Sequence, residues 1–248
     1  MKRDMSVSLW EVKIPIKGLI SIQHDGAVVD KVEFHLAEDD LVAKTVVEGS
    51  FGNVIAKAIK RVNRALDKIA LEGGASIRIE TSGIRASQVS NPIGGTSRRL
   101  GGSMAQITIK VMHPIDEGTL SKAAKLRSNI RDEDKKRIFE KSLSHYRNGL
   151  NAESDGNPRG AFLDFWDSIE VIATKYGQKG GDTKDKICDC FEKYLGERKE
   201  KEIKELCKIR QDAAHGLKDT SDPEEVKIMI EKPPQMKDLA RQFLISFG

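Results

Sequence analysis

Cysteine is scarce in this chain. Its 248 residues hold three, an odd number. Cys188 and Cys190 lie two apart, a spacing that shares no helix face, and Cys207 stands alone. No second Cys/His pair sits at zinc-ligand spacing, which argues against a structural metal. The thiols read as buried or incidental groups in a reducing compartment. Long hydrophobic runs are missing too: nothing approaches the roughly 20 apolar residues that cross a bilayer. The charged start Met1-Lys2-Arg3-Asp4 is not followed by the apolar core of a signal peptide. A cytoplasmic protein without a membrane partner is therefore expected. Several catalytic signatures are also lacking. There is no nucleophile elbow, no dinucleotide fingerprint and no Ser-His-Asp constellation that can be singled out, and no cofactor is expected. His24 and His35 lie eleven residues apart among Asp25, Glu33 and Asp39, too scattered to argue for a metal site.

Charge of one sign is sparse as well. The net charge is +4. Residues 1–113 carry 16 Lys and Arg against 12 Asp and Glu, and the remainder carries 26 against 26, so the excess lies in the first half. That balance permits nucleic-acid binding but falls short of a polybasic footprint.

What is present divides into two periods. The first half alternates like strands. Trp10, Val12, Ile14 and Ile16 share one face, and Pro15 suggests an edge strand or a strand end. Val32, Phe34 and Leu36 alternate with Lys31, Glu33 and His35. Leu41 to Val47, Ser76 to Glu80 and Ile107 to Val111 add short β-branched runs. Between them Val54, Ala58, Ile59, Val62, Leu66 and Ile69 recur at helical steps up to a Gly73-Gly74 stop. From about Glu117 the period is helical. Expected helices cover Leu120 to Leu150 (one long or two shorter), Gly160 to Lys175, Thr183 to Leu195 and Glu200 to His215. Pro223 opens a short further one, Pro233-Pro234 breaks the chain, and Gln235 to Phe247 closes it. The expected fold is α+β: a mostly antiparallel β domain with one long helix over residues 1–115, then an all-α bundle over 119–248.

Two stretches carry chemistry. Asn91 to Ser103 is glycine-rich with Arg98 and Arg99 at its middle, and it lacks the Gly-Lys-Ser/Thr ending of a phosphate loop. It reads as a hairpin tip, or as a flap whose arginines contact RNA phosphates. The second stretch is Cys207-Lys208-Ile209-Arg210-Gln211-Asp212-Ala213-Ala214-His215-Gly216. Arg210 is a permanent cation on the stripe of Ile203, Leu206 and Ala214, where a charge needs a partner. His215 titrates near neutrality and occupies the last turn, where helix carbonyls favour imidazolium. In an unbroken helix the two are about 140° apart and so do not share a face. Two copies meeting at a two-fold axis would bring Arg210 of one chain near His215 of the other. Such a pair suits RNA cleavage without a metal, because the substrate supplies its own 2′-hydroxyl. Cations before a terminal glycine are also an ordinary helix ending, so spacing alone leaves both readings open. His145, in Leu143-Ser144-His145-Tyr146-Arg147-Asn148, reads as a surface histidine or as one lining the same groove.

The second half resembles the HEPN family (higher eukaryotes and prokaryotes nucleotide-binding), whose hallmark is Arg, four to six residues, then His. Arg210 and His215 enclose four here, the ending Ala-Ala-His-Gly is similar, and Phe165-Trp166-Asp167-Ser168-Ile169-Glu170 resembles the aromatic-x-x-aliphatic-Glu pattern of the family's second helix. The resemblance covers about residues 120–247 and is nearest to the HEPN domains of bacterial defence proteins with a β-rich N-terminal domain. It implies a homodimeric, metal-independent endoribonuclease that leaves 2′,3′-cyclic phosphate ends, with Arg210 and His215 catalytic. Gln211 stands where the family usually has Asn, Asp or His, with Asp212 one place later. Gln211, Asp212 and Glu170 would support the site, and Arg98, Arg99 and His145 would contact RNA. The β-rich half would sense a trigger or position the RNA. A non-catalytic HEPN module that binds nucleotide or RNA and dimerises is the alternative.

Overall fold

The structure, a computed structural model, describes residues 9–18, 20–22, 25–37, 40–80, 84–89, 98–99, 113–126, 130–178, 181–215 and 223–248. The fold is α+β. The chain divides into two units, 1–125 and 126–248.

The first unit holds strands β1 (Leu9–Gly18), β2 (Ile20–Ile22), β3 (Ala27–Val29), β4 (Val32–Ala37) and β5 (Asp40–Glu48). Helix α1 (Phe51–Gly73) follows, then β6 (Ile77–Ile79), β7 (Arg85–Gln88), β8 (Arg98–Arg99), β9 (His113–Ile115) and α2 (Glu117–Lys125). The antiparallel sheet runs β3-β4-β5-β1-β7-β8, with β6 also paired to β1. Strand β2 pairs with β9 in parallel. One face of the sheet is apolar because side chains alternate: Val12, Ile14, Phe34, Ala43 and Val47 are buried against Val54, Ala58, Val62, Leu66 and Ile69 of α1. Helix α1 ends at Gly74, whose φ of 64° is the left-handed conformation glycine adopts without strain. The boundary between units falls later than the 113–119 stretch read from sequence, because α2 packs on α1.

One strand expectation needs correction. Pro15 lies in a central strand, not at an edge. It pairs with Val42 of β5. On the other side of β1, β7 reaches only Lys13 and β6 begins only at Ile16. Glu80 N–H donates to the Pro15 carbonyl at 2.8 Å, so the proline nitrogen faces the gap between those two partners, where no N–H is missed. Leu36 shares the parity of Val32 and Phe34 but is 49% exposed. The run Ile107 to Val111 and His24 lie outside the described residues.

The second unit is helical: α3 (Glu133–Ser154), α4 (Pro158–Tyr176), α5 (Thr183–Leu195), α6 (Glu200–His215) and α7 (Pro223–Phe247). The expected Leu120 to Leu150 segment is thus two helices, α2 and α3, one in each unit. Side-chain caps open three of the helices: Asp132 for α3, Asn157 for α4 and Asp182 for α5. Helix α4 is the hub and packs against α3, α5, α6 and α7. Hence it buries Phe162, Phe165, Trp166, Ile169 and Ile172 together. It approaches α3 closely at Gly149, where a Cβ would lie 2.6 Å from the Phe165 ring.

Pro233-Pro234 does not break the chain. Helix α7 runs through both, although each proline removes an intrahelical bond at a typical cost of about 3 kcal/mol. Packing offsets this. Met236, Leu239, Ala240, Phe243, Leu244 and Phe247 are all buried. Lys232 and Gln235, which flank the prolines, bind Glu205 and Glu202 of α6 at 2.6 and 2.9 Å.

Candidate functional site

Arg210 sits in an α6 that runs unbroken from Glu200 to His215. The buried stripe of that helix is Ile203, Leu206, Ile209 and Ala213. Ala214 is exposed and Cys207 half-buried, so the stripe is rotated slightly from the one read in the sequence. Arg210 flanks it, with its side chain 33% exposed, and its Nη2 lies 3.5 Å from Glu170 Oε2 on α4. Glu170 is fixed in turn, because Trp166 Nε1–H donates to the same oxygen at 2.6 Å. Trp166 is buried, and the Trp-to-Glu step is one helical turn. The guanidinium is only partly used: its Nε is buried without a hydrogen-bond partner.

Around this pair α4 lays out Asp164, Asp167 and Glu170 at three-residue steps, along one flank of the helix. His145 of α3 approaches the first, with Nδ1 3.6 Å from Asp164 Oδ1 and its ring 26% exposed. That Nδ1 is buried and makes no hydrogen bond. Asp167 is half-buried between them. Burial raises its proton affinity, Glu170 and Asp164 push the same way, and the charges of His145 and Arg210 oppose. Three carboxylates thus flank one guanidinium and one imidazole. An anion approaching Arg210 meets less repulsion when Asp167 is protonated. Burial also raises the Cys207 thiol on the Arg210 helix, making it a poor nucleophile at neutral pH.

Comparison with known protein-family models, curated proteins and solved structures finds no match to this chain. The site is therefore argued from its own residues.

Arg210, Glu170 and His145, all named from sequence, converge on the hub helix. Gln211, one step from Arg210, is exposed, and Asp212 is half-buried. His215 is the last residue of α6, and its side chain lies outside the described set. Arg98 and Arg99 form β8 of the other unit, paired with Ala86 and Arg85; their side chains and the surrounding glycine-rich residues are likewise outside it. Sequence reasoning missed Asp164, Asp167 and Trp166 as parts of the site. The polar positions at three-residue steps within an apolar helix were the available signal. It also missed Arg159, which donates through Nη2 to the Ala213 carbonyl and so ties the start of α4 to the end of α6. That carbonyl belongs to the last turn of α6, where helix acceptors are otherwise open. Among the described residues no cluster of His, Cys, Asp or Glu could hold a metal ion, and no helix is long and apolar enough to cross a membrane.

Proposed function

We propose that the helical unit is a HEPN-like endoribonuclease that works without a metal, as a cytoplasmic homodimer, in a defence or stress response. The β-rich unit senses the trigger or positions the RNA. The observation that carries this reading is Arg210: a cation held by Glu170 with a third of its side chain still exposed. A guanidinium oriented by a carboxylate and still 33% exposed is suited to grip a phosphodiester. The substrate 2′-hydroxyl attacks phosphorus, His215 takes its proton, and Arg210 holds the charge that develops on the phosphoryl oxygens.

The non-catalytic binding and dimerisation reading also has an observation behind it. The carboxylates Asp164, Asp167 and Glu170 outnumber the cations beside them, which weakens the attraction for a polyanion within one protomer. Labelled single-stranded RNA incubated with purified protein in EDTA separates the two. Cleavage in chelator, with 2′,3′-cyclic phosphate ends and loss in both Arg210→Ala and His215→Ala, supports the nuclease. RNA or nucleotide binding without cutting supports the module, and neither activity removes both.

A further inference from the structure

Cleaving RNA by 2′-hydroxyl attack takes two proton transfers. One proton leaves the nucleophile and another must reach the departing 5′-oxygen. The Arg210–His215 pair supplies one titrating group. We propose that His145 is the second, the general acid that protonates the leaving 5′-oxygen; this rests on the nuclease reading above.

The placement of His145 carries the inference. Asp164 and Glu170 are six residues apart on α4, about 9 Å along its axis. His145 stands at the first of these carboxylates and Arg210 at the second. Both belong to one protomer and reach α4 from different helices, His145 from α3 and Arg210 from α6, at carboxylates about 120° apart around it, with Asp167 between those carboxylates responding to the charge of each. The His145 ring turns Nδ1 toward the Asp164 carboxylate and stays 26% exposed, so the imidazole is within reach of a ligand at the surface. The charges facing it come from α4, namely Asp164 and Asp167. On α7, which also packs on α3, Lys237 is engaged by Glu153, and Asp238 and Arg241 act on the neighbouring Tyr146.

The step balances. The 2′-oxygen forms its bond to phosphorus and the bond from phosphorus to the 5′-oxygen breaks. The proton of the 2′-hydroxyl passes to His215 and the imidazolium proton of His145 passes to the 5′-oxygen. Nothing is oxidised or reduced. Water then returns the two histidines to their starting protonation states.

His145→Gln keeps the side-chain size while removing the acid. It should lower kcat on RNA by about 10²–10⁴-fold with little change in KM. A uridine 3′-phosphodiester with a 4-nitrophenol leaving group needs no acid, so His145→Gln should cleave it at close to the wild-type rate while Arg210→Ala does not. Asp164→Asn, which leaves the histidine in place, should lower kcat on RNA but not on the activated ester. This second variant decides the matter if His145→Gln fails to fold. Wild-type cleavage combined with full activity of both variants on RNA overturns the assignment and leaves the nuclease reading standing. Equal loss on both substrates also overturns it, since His145 is then structural. No cleavage by the wild type removes the reading and the inference together.

Discussion

The two units treat internal charge differently. In the sheet unit, charge stays on the solvent face or is drawn in on α1, at Asp67 and Lys68. Lys13, Glu11, Lys44, Glu33 and His35 form a row of ion pairs across the outer face of the strands. Of the two, Lys68 has a side chain only 3% exposed, and its Nζ binds Asp30 at 2.8 Å. Asp30 and Lys31 have φ values of 51° and 64°, the two-residue hairpin turn between β3 and β4. The lysine therefore clamps that turn to the helix behind it. In the helical unit charge enters between α3, α4 and α6 and is left incompletely paired, with Arg210 Nε and His145 Nδ1 unbonded. A buried cation with its carboxylate in contact secures a fold. A half-buried one whose side chain stays partly exposed is available to a ligand.

Four substitutions break or sharpen that contrast. Arg210→Ala should lower RNA cleavage by about 10²–10³-fold while costing less than about 1 kcal/mol of stability, since the pair is partly exposed. Cleavage assays beside thermal melts check this, and a large loss of Tm with unchanged cleavage would place Arg210 in the same class as Lys68. Lys68→Ala should do the reverse. It strands Asp30 beside a buried helix, costing roughly 3–5 kcal/mol in denaturant unfolding, with cleavage intact wherever the protein remains folded. Gly149→Ala probes the close approach of α3 and α4 that aligns His145 with Asp164. The added methyl meets the Phe165 ring at 2.6 Å and should cost roughly 1–3 kcal/mol; an unchanged Tm would show that the two helices can part.

The smallest effect belongs to Asp167. Burial, aided by Glu170 and Asp164, holds its carboxyl above the ordinary 3.8. Above that value the unfolded chain has released a proton that the folded protein still holds. Stability therefore falls as pH rises from about 4 upward through the raised value. Asp167→Asn should flatten that part of the curve of Tm against pH, and a slope identical to the wild type would assign the titration to another group.

Periodicity made most of the elements legible. The Thr183–Leu195 and Glu200–His215 helices match in both ends, and Gly73-Gly74 stops α1 as read. The α4 segment was also visible, with only its first turn and its capping Asn157 lying earlier than expected. Misreadings gathered where a distant partner overrules a local rule. Pro15 is accepted in a central strand because β6 and β7 leave a gap beside it. Pro233-Pro234 is accepted in a helix because α7 is anchored by buried residues from Met236 onward and by the Lys232 and Gln235 contacts to α6. Leu36 keeps the alternation but finds no cover.

By itself the sequence determined the change from a two-residue to a helical period, the stop of α1 and the ends of α5 and α6, and an arginine on the half-buried flank of α6. Those depend on neighbours within about four positions, where propensity, capping and amphipathic spacing act. Only the tertiary structure decided that Glu170 holds that arginine, that Trp166 holds Glu170, and that His145 meets Asp164 further along the same helix. Those partners are separated by 40 residues between Arg210 and Glu170 and by 19 between Asp164 and His145. What sets them side by side is the packing of α3 and α6 onto α4, where a closest approach at Gly149 fixes the alignment of α3 and α4.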